Sequence, residues 1–163
     1  YDSRVKKGTL TQAEADSLFA AVKGTTSYED FKTVDLVIEA AFEEISVKLE
    51  IFKTLDQICP PRAILATNTS ALSISEIAEA TTRQDKVVGM HFFNPAQFMK
   101  LVEVTAGVKT SEETMKSALE LCHQMQKTPV KVEECPGFLV NRVLFTYMNE
   151  ALYALQEGLA TVE

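Results

Sequence analysis

Apolar runs rich in β-branched residues alternate with segments of helical period along the middle of this chain, and this alternation limits the folds that it can adopt. Residues 34–40 are an apolar run typical of a strand buried on both faces, residues 43–58 follow with helical period, and residues 63–67 are a second apolar run. Glu44 and Lys48 have the spacing of an i,i+4 ion pair on that helix. Strands that alternate with helices form mostly parallel sheets with helices on both faces. The sequence therefore predicts an α/β fold with a mostly parallel sheet.

The next segments continue this pattern with one reversal of strand direction. Residues 87–93 and 101–105 are predicted strands, and Asn94-Pro95 between them cannot continue a central ladder. A connection this short favours antiparallel neighbours, because parallel neighbours need a longer crossover. The other predicted elements of this part are a short helix at residues 73–80, a helix that begins near Thr110 and a strand at residues 128–133.

Helices are predicted near both ends of the chain. A capping box at residues 11–14 and apolar residues at helical spacing up to Val22 predict an amphipathic helix that stops at Gly24. Residues 138–157 are apolar nearly all round, so we expect a helix buried on most sides, which opens a second, helical domain or a dimer interface. The chain starts without Met and ends on Thr161-Val162-Glu163, which is typical of a helix start. We therefore expect both ends to lie inside a longer protein.

Charge and composition argue against two classes of partner. The 163 residues include 16 Lys and Arg against 23 Asp and Glu, for a net charge of -7, and they contain no basic run. Binding to nucleic-acid phosphates needs a basic patch, so we expect no nucleic-acid partner. The apolar stretches are broken before the roughly 20 residues that a membrane span requires, so we expect no membrane partner.

The cysteines indicate a reducing environment. Cys59, Cys122 and Cys135 are an odd number and lack C-x-x-C spacing. A metal site would need paired spacings with histidines nearby, so we expect no metal. We interpret the three as reduced, buried thiols of an intracellular protein.

His91 and Glu103 are the residues best suited to acid–base chemistry. His91 ends a predicted strand, where open α/β sheets place their ligand crevice, although a lone histidine on an apolar strand is more often a core residue with satisfied hydrogen bonds. Glu103 lies inside an apolar strand, where a carboxylate needs a partner to offset its desolvation. An imidazole held by a carboxylate on one nitrogen is a general base on the other. We therefore predict a hydrogen bond of about 2.6 to 3.2 Å between them.

Other polar residues have two interpretations each. Ser70 follows a strand at the same predicted edge as His91, and it is either a ligand for a substrate oxygen lining one crevice with His91 or a turn residue. Asn141 in the apolar helix either points into a cleft or caps a loop. Glu43 suits a helix N-terminus and equally a ribose or nicotinamide contact. His123 lies on the helix face away from the core, so we expect it to be exposed.

The glycines lack the pattern that holds a dinucleotide. All six are isolated, and none forms G-x-G. A phosphate-binding loop of that kind needs G-x-G-x-x-G between a strand and a helix. Taken alone, these residues would not be interpreted as a dinucleotide-binding protein.

Four motifs together resemble the L-3-hydroxyacyl-CoA dehydrogenase family in order and spacing. They are Asn68-Thr69-Ser70, His91-Phe92-Phe93-Asn94-Pro95, residues 99–104 and residues 136–142. The similarity runs from about Val5 to the C-terminus, and it is greatest to the branch that acts on 3-hydroxybutyryl-CoA. The resemblance implies a partial Rossmann-like NAD-binding domain at residues 1–134, followed at residues 135–163 by the start of an all-α domain.

The resemblance also implies a reaction and its residues. The 3-hydroxyl of an acyl-CoA would be oxidised to a ketone, with NAD as the hydride acceptor. His91 would remove the hydroxyl proton and Glu103 would orient His91. The residues implied to hold the substrate are Ser70, Asn141 and Asn94, and those implied around the nicotinamide half of NAD are Ala40, Glu43, Lys48 and Asn68.

Two segments that proteins of this family contain are expected to lie outside these 163 residues. An N-terminal β-α-β unit would hold the adenine half of NAD, and most of the helical domain would form a homodimer and close the cleft over the substrate. The resemblance implies a location in the bacterial cytoplasm or, as the alternative, in the mitochondrial matrix.

Two other interpretations are left open by the resemblance. The dehydrogenase region of the multifunctional α-subunit of fatty-acid oxidation is similar too, and a non-catalytic, crystallin-like relative uses the same scaffold. The presence of Ser70, His91, Glu103 and Asn141 together favours an enzyme, because a structural role needs none of them.

Overall fold

The structure, a computed structural model, describes residues 1–162. These residues form two compact units, Tyr1–Asp30 and a second unit that begins at Phe31. The first unit contains α1 (Asp2–Lys6) and α2 (Gln12–Ala20). The hydroxyl of Thr11 accepts from the N–H of Glu14, and the Glu14 carboxylate accepts from the N–H of Thr11, so the predicted capping box is confirmed.

The predicted amphipathic character of α2 is only partly confirmed. Ala15 is buried, but Phe19 and Val22 are 72% and 69% exposed. The helix ends at Ala20, four residues before the glycine that was expected to stop it. Helical spacing identifies a helix, but it does not say whether a partner covers the apolar face.

The second unit contains a five-stranded sheet, counted over the described residues, in the order β1-β2-β3-β4-β5. The strands are β1 (Leu36–Glu39), β2 (Ile64–Thr67), β3 (Val87–Phe92), β4 (Leu101–Ala106) and β5 (Thr128–Glu133). β1, β2 and β3 run parallel, β3 and β4 run antiparallel, and β4 and β5 run parallel. The predicted mostly parallel sheet with one antiparallel pair is confirmed.

Helices cover both faces of this sheet. They are α3 (Ile45–Ile58), α4 (Ile74–Glu79) and α5 (Glu112–Gln124). The chain also contains short 3-10 turns at Tyr28–Thr33 and Gln84–Lys86. Successive strand residues point to opposite faces. Leu65 accordingly belongs to a core cluster with Phe52 of α3 and Ile77 of α4, whereas Ala66 belongs to a cluster with Met115 of α5.

The last helix, α6 (Val140–Gln156), differs from its prediction. We expected it to be buried on most sides, but none of its residues is buried in the described chain, and Val143 and Tyr147 are 62% and 72% exposed. The apolar pattern is real, but the described residues supply no cover for it. The helix start predicted at Thr161-Val162-Glu163 stays a prediction: Thr161 and Val162 are not helical, and Glu163 lies outside the described residues.

Two further expectations concern the chain as a whole. The domain boundary expected between residues 134 and 135 stays a prediction. Across residues 1–162, every helix is too short or too polar to cross a membrane.

Candidate active site

Neighbouring strands end at one edge of the sheet, and the candidate residues gather there. β1, β2 and β3 run parallel, so Glu39, Thr67 and Phe92 end at the same edge. Asn68 links the three strands: its N–H donates to the carbonyl of Glu39 at 2.8 Å, and its side-chain carbonyl accepts from the N–H of Phe92 at 2.7 Å. The carboxyl edge of such a sheet is where ligands bind in open α/β folds.

His91 and Glu103 are directly opposite each other on β3 and β4. Residues paired in this way point to the same face of a sheet, and His91 Nδ1 lies 2.8 Å from Glu103 Oε2. The two side chains are 10% and 1% exposed. The predicted hydrogen bond is confirmed. Because the carboxylate engages Nδ1, Nε2 is the nitrogen that can exchange a proton with a ligand.

Two aromatic rings hold the imidazole of His91 in place. The ring of Phe93 lies 4.5 Å from it and the ring of Phe138 lies 6.0 Å from it, both centroid to centroid. Phe138 is almost fully buried, and it has a φ of 50° directly after Gly137, whose φ is 75°. A phenylalanine with positive φ is uncommon, and here it places the ring beside His91 just before α6 begins.

The second oxygen of Glu103 holds the start of α6. Oε1 accepts from the N–H of Leu139 at 3.0 Å and from the N–H of Val140 at 2.8 Å. The first N–H groups of a helix have no partner inside the helix, and they form the positive end of its dipole. One carboxylate therefore orients the imidazole and anchors the helix that carries Asn141.

Glu43 accepts three hydrogen bonds from the loop that follows β2. Its Oε1 accepts from the Thr69 hydroxyl at 2.6 Å, the Ser70 N–H at 2.7 Å and the Ser70 hydroxyl at 3.0 Å. Partial burial raises the pKa of the Glu43 carboxyl, but these hydrogen bonds and the charge of Lys48 outweigh burial, so its pKa lies below the ordinary value. Glu43 is therefore an anion at neutral pH, and it orients the Ser70 hydroxyl.

Lys48 is fully buried and pairs with two carboxylates. Its Nζ lies 2.8 and 3.0 Å from the carboxylate oxygens of Glu39 and 3.4 Å from Glu43 Oε2. The expected pair with Glu44 is wrong, because Lys48 faces the sheet, where its charge needs a buried partner, while Glu44 accepts from the Ser46 hydroxyl.

Asn141 and Ser70, both expected to contact the substrate, come together at this edge. The side-chain amide of Asn141 donates to the backbone carbonyl of Ser70 at 3.3 Å. Ser70 is thereby linked to the first turn of α6, which Glu103 also holds. That Ser70 and His91 line one crevice stays a prediction.

The other expected site residues are more exposed. Ala40 follows β1 directly, and Asn94 lies in the connection between β3 and β4. That connection is anchored by Lys127, whose ammonium donates to the carbonyls of Ala96 and Met99. His123 is exposed on α5, as predicted.

Two parts of this arrangement were missed by sequence reasoning. Glu39 is absent from the predicted site, although an acid at the end of an apolar strand carries the same signal that identified Glu103. The contacts of the Leu139 and Val140 amides with Glu103 carry no side-chain signal in the sequence, because they are made by backbone groups.

Comparison with known proteins identifies the family. The family model described as 3-hydroxyacyl-CoA dehydrogenase, NAD binding domain, matches residues 1–135, and the one described as 3-hydroxyacyl-CoA dehydrogenase, C-terminal domain, matches residues 137–163. The chain belongs to the 3-hydroxyacyl-CoA dehydrogenase family.

Individual family members agree with this result. The chain is 49% identical to a 3-hydroxybutyryl-CoA dehydrogenase of Clostridioides difficile over 98% of its own length and 57% of that protein. It is 44% identical to a fatty acid oxidation complex subunit alpha of Shewanella baltica, over 96% of this chain and 22% of that protein.

A crystal structure shows the same fold in a relative. The (S)-3-hydroxybutyryl-CoA dehydrogenase of Ralstonia eutropha matches with a TM-score of 0.95 and 45% identity, over 99% of this chain and 57% of that one. The chain thus spans little more than half the length of these two 3-hydroxybutyryl-CoA dehydrogenase relatives.

Proposed function

We propose that this chain supplies the acid–base and substrate-binding residues of an NAD-dependent L-3-hydroxyacyl-CoA dehydrogenase, which oxidises the 3-hydroxyl of an acyl-CoA to a ketone. The observation that carries the proposal is the buried hydrogen bond of 2.8 Å between His91 Nδ1 and Glu103 Oε2 at the carboxyl edge of the sheet. Oxidation of an alcohol requires a base for the hydroxyl proton, and an imidazole oriented by a carboxylate is suited to that task at neutral pH.

His91 and Glu103 divide the proton chemistry between them. Nε2 of His91 takes the hydroxyl proton, while the N–H at Nδ1 donates to Glu103. The negative charge of Glu103 stabilises the imidazolium that forms, as the carboxylate does in other His–carboxylate pairs. The amides of Leu139 and Val140 hold Glu103 in place during the step.

Ser70 and Asn141 are proposed to hold the substrate oxygens. The Ser70 hydroxyl donates to Glu43 in this structure, and it would turn to donate to the substrate 3-oxygen, because the single proton of that substrate hydroxyl goes to His91. Asn141 is held by the Ser70 carbonyl through its amide nitrogen, which leaves its amide carbonyl as an acceptor for a substrate group. Asn94 is proposed as a further contact, from the connection between β3 and β4.

The residues around Glu43 fit the nicotinamide half of NAD. Two carboxylates, Glu39 and Glu43, surround the single ammonium of Lys48, so this cluster carries a net negative charge that complements the cationic ring of oxidised NAD. Ala40, Glu43 and Asn68 would hold that half, and Lys48 would contribute through Glu43. Bound NAD supplies the acceptor for the hydride that leaves the substrate carbon. The pyrophosphate needs a glycine loop, which these residues lack.

The remaining details of the proposal come from the relatives. The names of two of them indicate 3-hydroxybutyryl-CoA, so we propose a short-chain substrate. The similarity to an α-subunit of a fatty acid oxidation complex makes a role in that larger enzyme the alternative. A homodimer is proposed on the basis of the resemblance, as is a cytoplasmic location in a bacterial cell, with the mitochondrial matrix as the alternative.

The reaction can be tested directly with the intact protein. We expect NADH absorbance to appear when NAD and L-3-hydroxybutyryl-CoA are supplied, and not when the D-enantiomer replaces the L-enantiomer. A series of L-3-hydroxyacyl-CoA substrates of increasing chain length would locate the optimum. If no chain length of the L-substrate yields NADH, the proposed reaction is wrong.

Substitutions of Glu103 should separate its two tasks. Glu103→Gln keeps an acceptor for the α6 amides but loses the charge that stabilises imidazolium, so it should lower kcat without a large loss of stability. Glu103→Ala should lower kcat further, and it should destabilise the fold by at most about 1 to 3 kcal/mol for each of the two part-buried N–H groups that lose their acceptor. Steady-state kinetics and urea unfolding of both variants provide the measurement. Equal losses of kcat in the two variants would contradict a separate orienting role.

A further inference from the structure

Glu39, which is not among the predicted site residues, contacts several elements on the side of the site that is proposed to bind NAD. Glu39 ends β1, its side chain is 2% exposed, and that of Lys48 is 0% exposed. A buried ion pair adds little stability compared with apolar residues of the same size, because desolvation of the two charges offsets their attraction. The presence of this pair beneath the proposed cofactor site therefore calls for a reason other than stability.

The carboxylate of Glu39 connects four parts of the fold. It accepts from the ammonium of Lys48 on α3, from the hydroxyl of Thr67 at the end of β2 at 2.7 Å, and from the N–H of Ala41 after β1 at 2.6 Å. The lengths of these contacts are those of charge-assisted hydrogen bonds. Glu39 thus fixes the end of β1, the loop after it, the end of β2 and one buried side chain of α3 relative to each other.

Lys48 extends this set of contacts to the exposed part of the site. Its Nζ lies 3.4 Å from Glu43 Oε2, while the other oxygen of Glu43 accepts from Thr69 and Ser70. The Glu43 side chain is 41% exposed, so it can face a ligand, whereas Glu39 and Lys48 cannot. Lys48 and Glu43 therefore connect the buried carboxylate of Glu39 to the part of the site that a ligand can reach.

We propose that Glu39 is a positioning residue for the nicotinamide side of the site. Its carboxylate holds the ammonium of Lys48 at the position from which Lys48 orients Glu43, and Glu43 in turn orients the Ser70 hydroxyl. The inference rests on the proposed function, because it assigns to Glu39 a part in NAD binding.

The test compares three changes in the intact protein. Glu39→Gln removes the charge that holds Lys48. It should weaken NADH binding on the order of tenfold, by analogy with the loss of a residue that orients a metal ligand. Asp56→Asn is the matched control, because Asp56 pairs with Arg83 at 9% and 11% exposure at the far end of α3. The control should lower the melting temperature and leave NADH affinity unchanged.

A double substitution separates positioning from stability. Replacing both Glu39 and Lys48 with methionine removes the buried charges and keeps the volume, so the melting temperature should recover in part relative to Glu39→Gln. Recovery is partial because the Thr67 hydroxyl and the Ala41 N–H lose their acceptor. NADH affinity should nevertheless stay low, because Glu43 has lost its partner. If Glu39→Gln does not fold, the double variant still decides. A double variant that binds NADH as tightly as the parent would show that the pair is structural only and overturn the inference.

A readout without cofactor distinguishes this inference from the proposed function. The N–H of Ser70 donates to Glu43 at 2.7 Å, so its proton resonance should move upfield in both the Glu39→Gln variant and the double variant. An unmoved Ser70 resonance would overturn the positioning role even if the parent oxidises its substrate. A parent that binds no NADH would overturn the proposed function, and with it the assignment of Glu39 to cofactor binding.

Discussion

Replacing His91 with glutamine should lower kcat by a factor of about 10² to 10⁴, the usual loss when a general base is removed. Glutamine can still bond to Glu103, but it cannot take up a proton from the substrate. The His91 side chain is hydrogen-bonded to Glu103 on β4. Within the described residues, it takes no part in the hydrogen bonds and ion pairs of Glu39, Glu43 and Lys48. The dissociation constant of NADH should therefore stay close to that of the parent, so that the loss appears in kcat.

The other histidine of the chain provides the control for this experiment. His123 is exposed on α5, so His123→Gln should leave kcat, KM and NADH affinity as they are in the parent. Steady-state kinetics and NADH fluorescence titrations of both variants are the measurements. A near-parental kcat for His91→Gln would remove His91 from the mechanism, and a loss of NADH affinity equal to the loss in kcat would assign it to cofactor binding instead.

The pairing of His91 with Glu103 could be predicted because it depends on local rules. The connection between β3 and β4, residues 93–100, contains the Asn94-Pro95 break and is too short for a parallel crossover, which favours antiparallel neighbours. An acid inside an apolar strand must find a partner. These two rules leave few choices, and the structure pairs the two residues directly.

The second task of Glu103 could not be predicted in the same way. The amides that it accepts from are 36 and 37 residues further along the chain. They reach Glu103 because Gly137 and Phe138 both adopt positive φ. Glycine adopts positive φ at no steric cost, whereas phenylalanine adopts it only against steric repulsion. No sequence pattern predicts that a phenylalanine will adopt this conformation, because tertiary contacts determine its φ.

The prediction for Lys48 failed through a wrong choice of partner. Spacing on a helix gives equal weight to every acid within one turn, and Glu44 fulfilled that condition. The face of the helix decides the matter: Lys48 points toward the sheet, where Glu39 at the end of β1 is within 3.0 Å of its ammonium. Burial, which spacing alone does not reveal, made the strand acid the partner.

A chain of these 163 residues, expressed alone, should bind NADH weakly or not at all, and it should show no dehydrogenase activity. The reason is the recognition of the pyrophosphate, which is held by the N–H groups of a glycine loop and of the helix that follows it. The six glycines of the sequence are isolated, and the residues around Glu43 are proposed to bind only the nicotinamide half. His91 and Glu103, the proposed catalytic pair, would be present without the main expected source of cofactor affinity.

The same chain should also associate or aggregate. In the described residues β1 pairs only with β2, so one edge of a parallel sheet is open, and such edges invite pairing with other chains. The apolar residues of α6 are exposed as well, with Phe145 and Tyr147 at 62% and 72%. Fluorescence titration with NADH, together with light scattering, is the measurement. Saturable NADH binding in the micromolar range by a monodisperse sample would show that cofactor affinity resides in these residues after all.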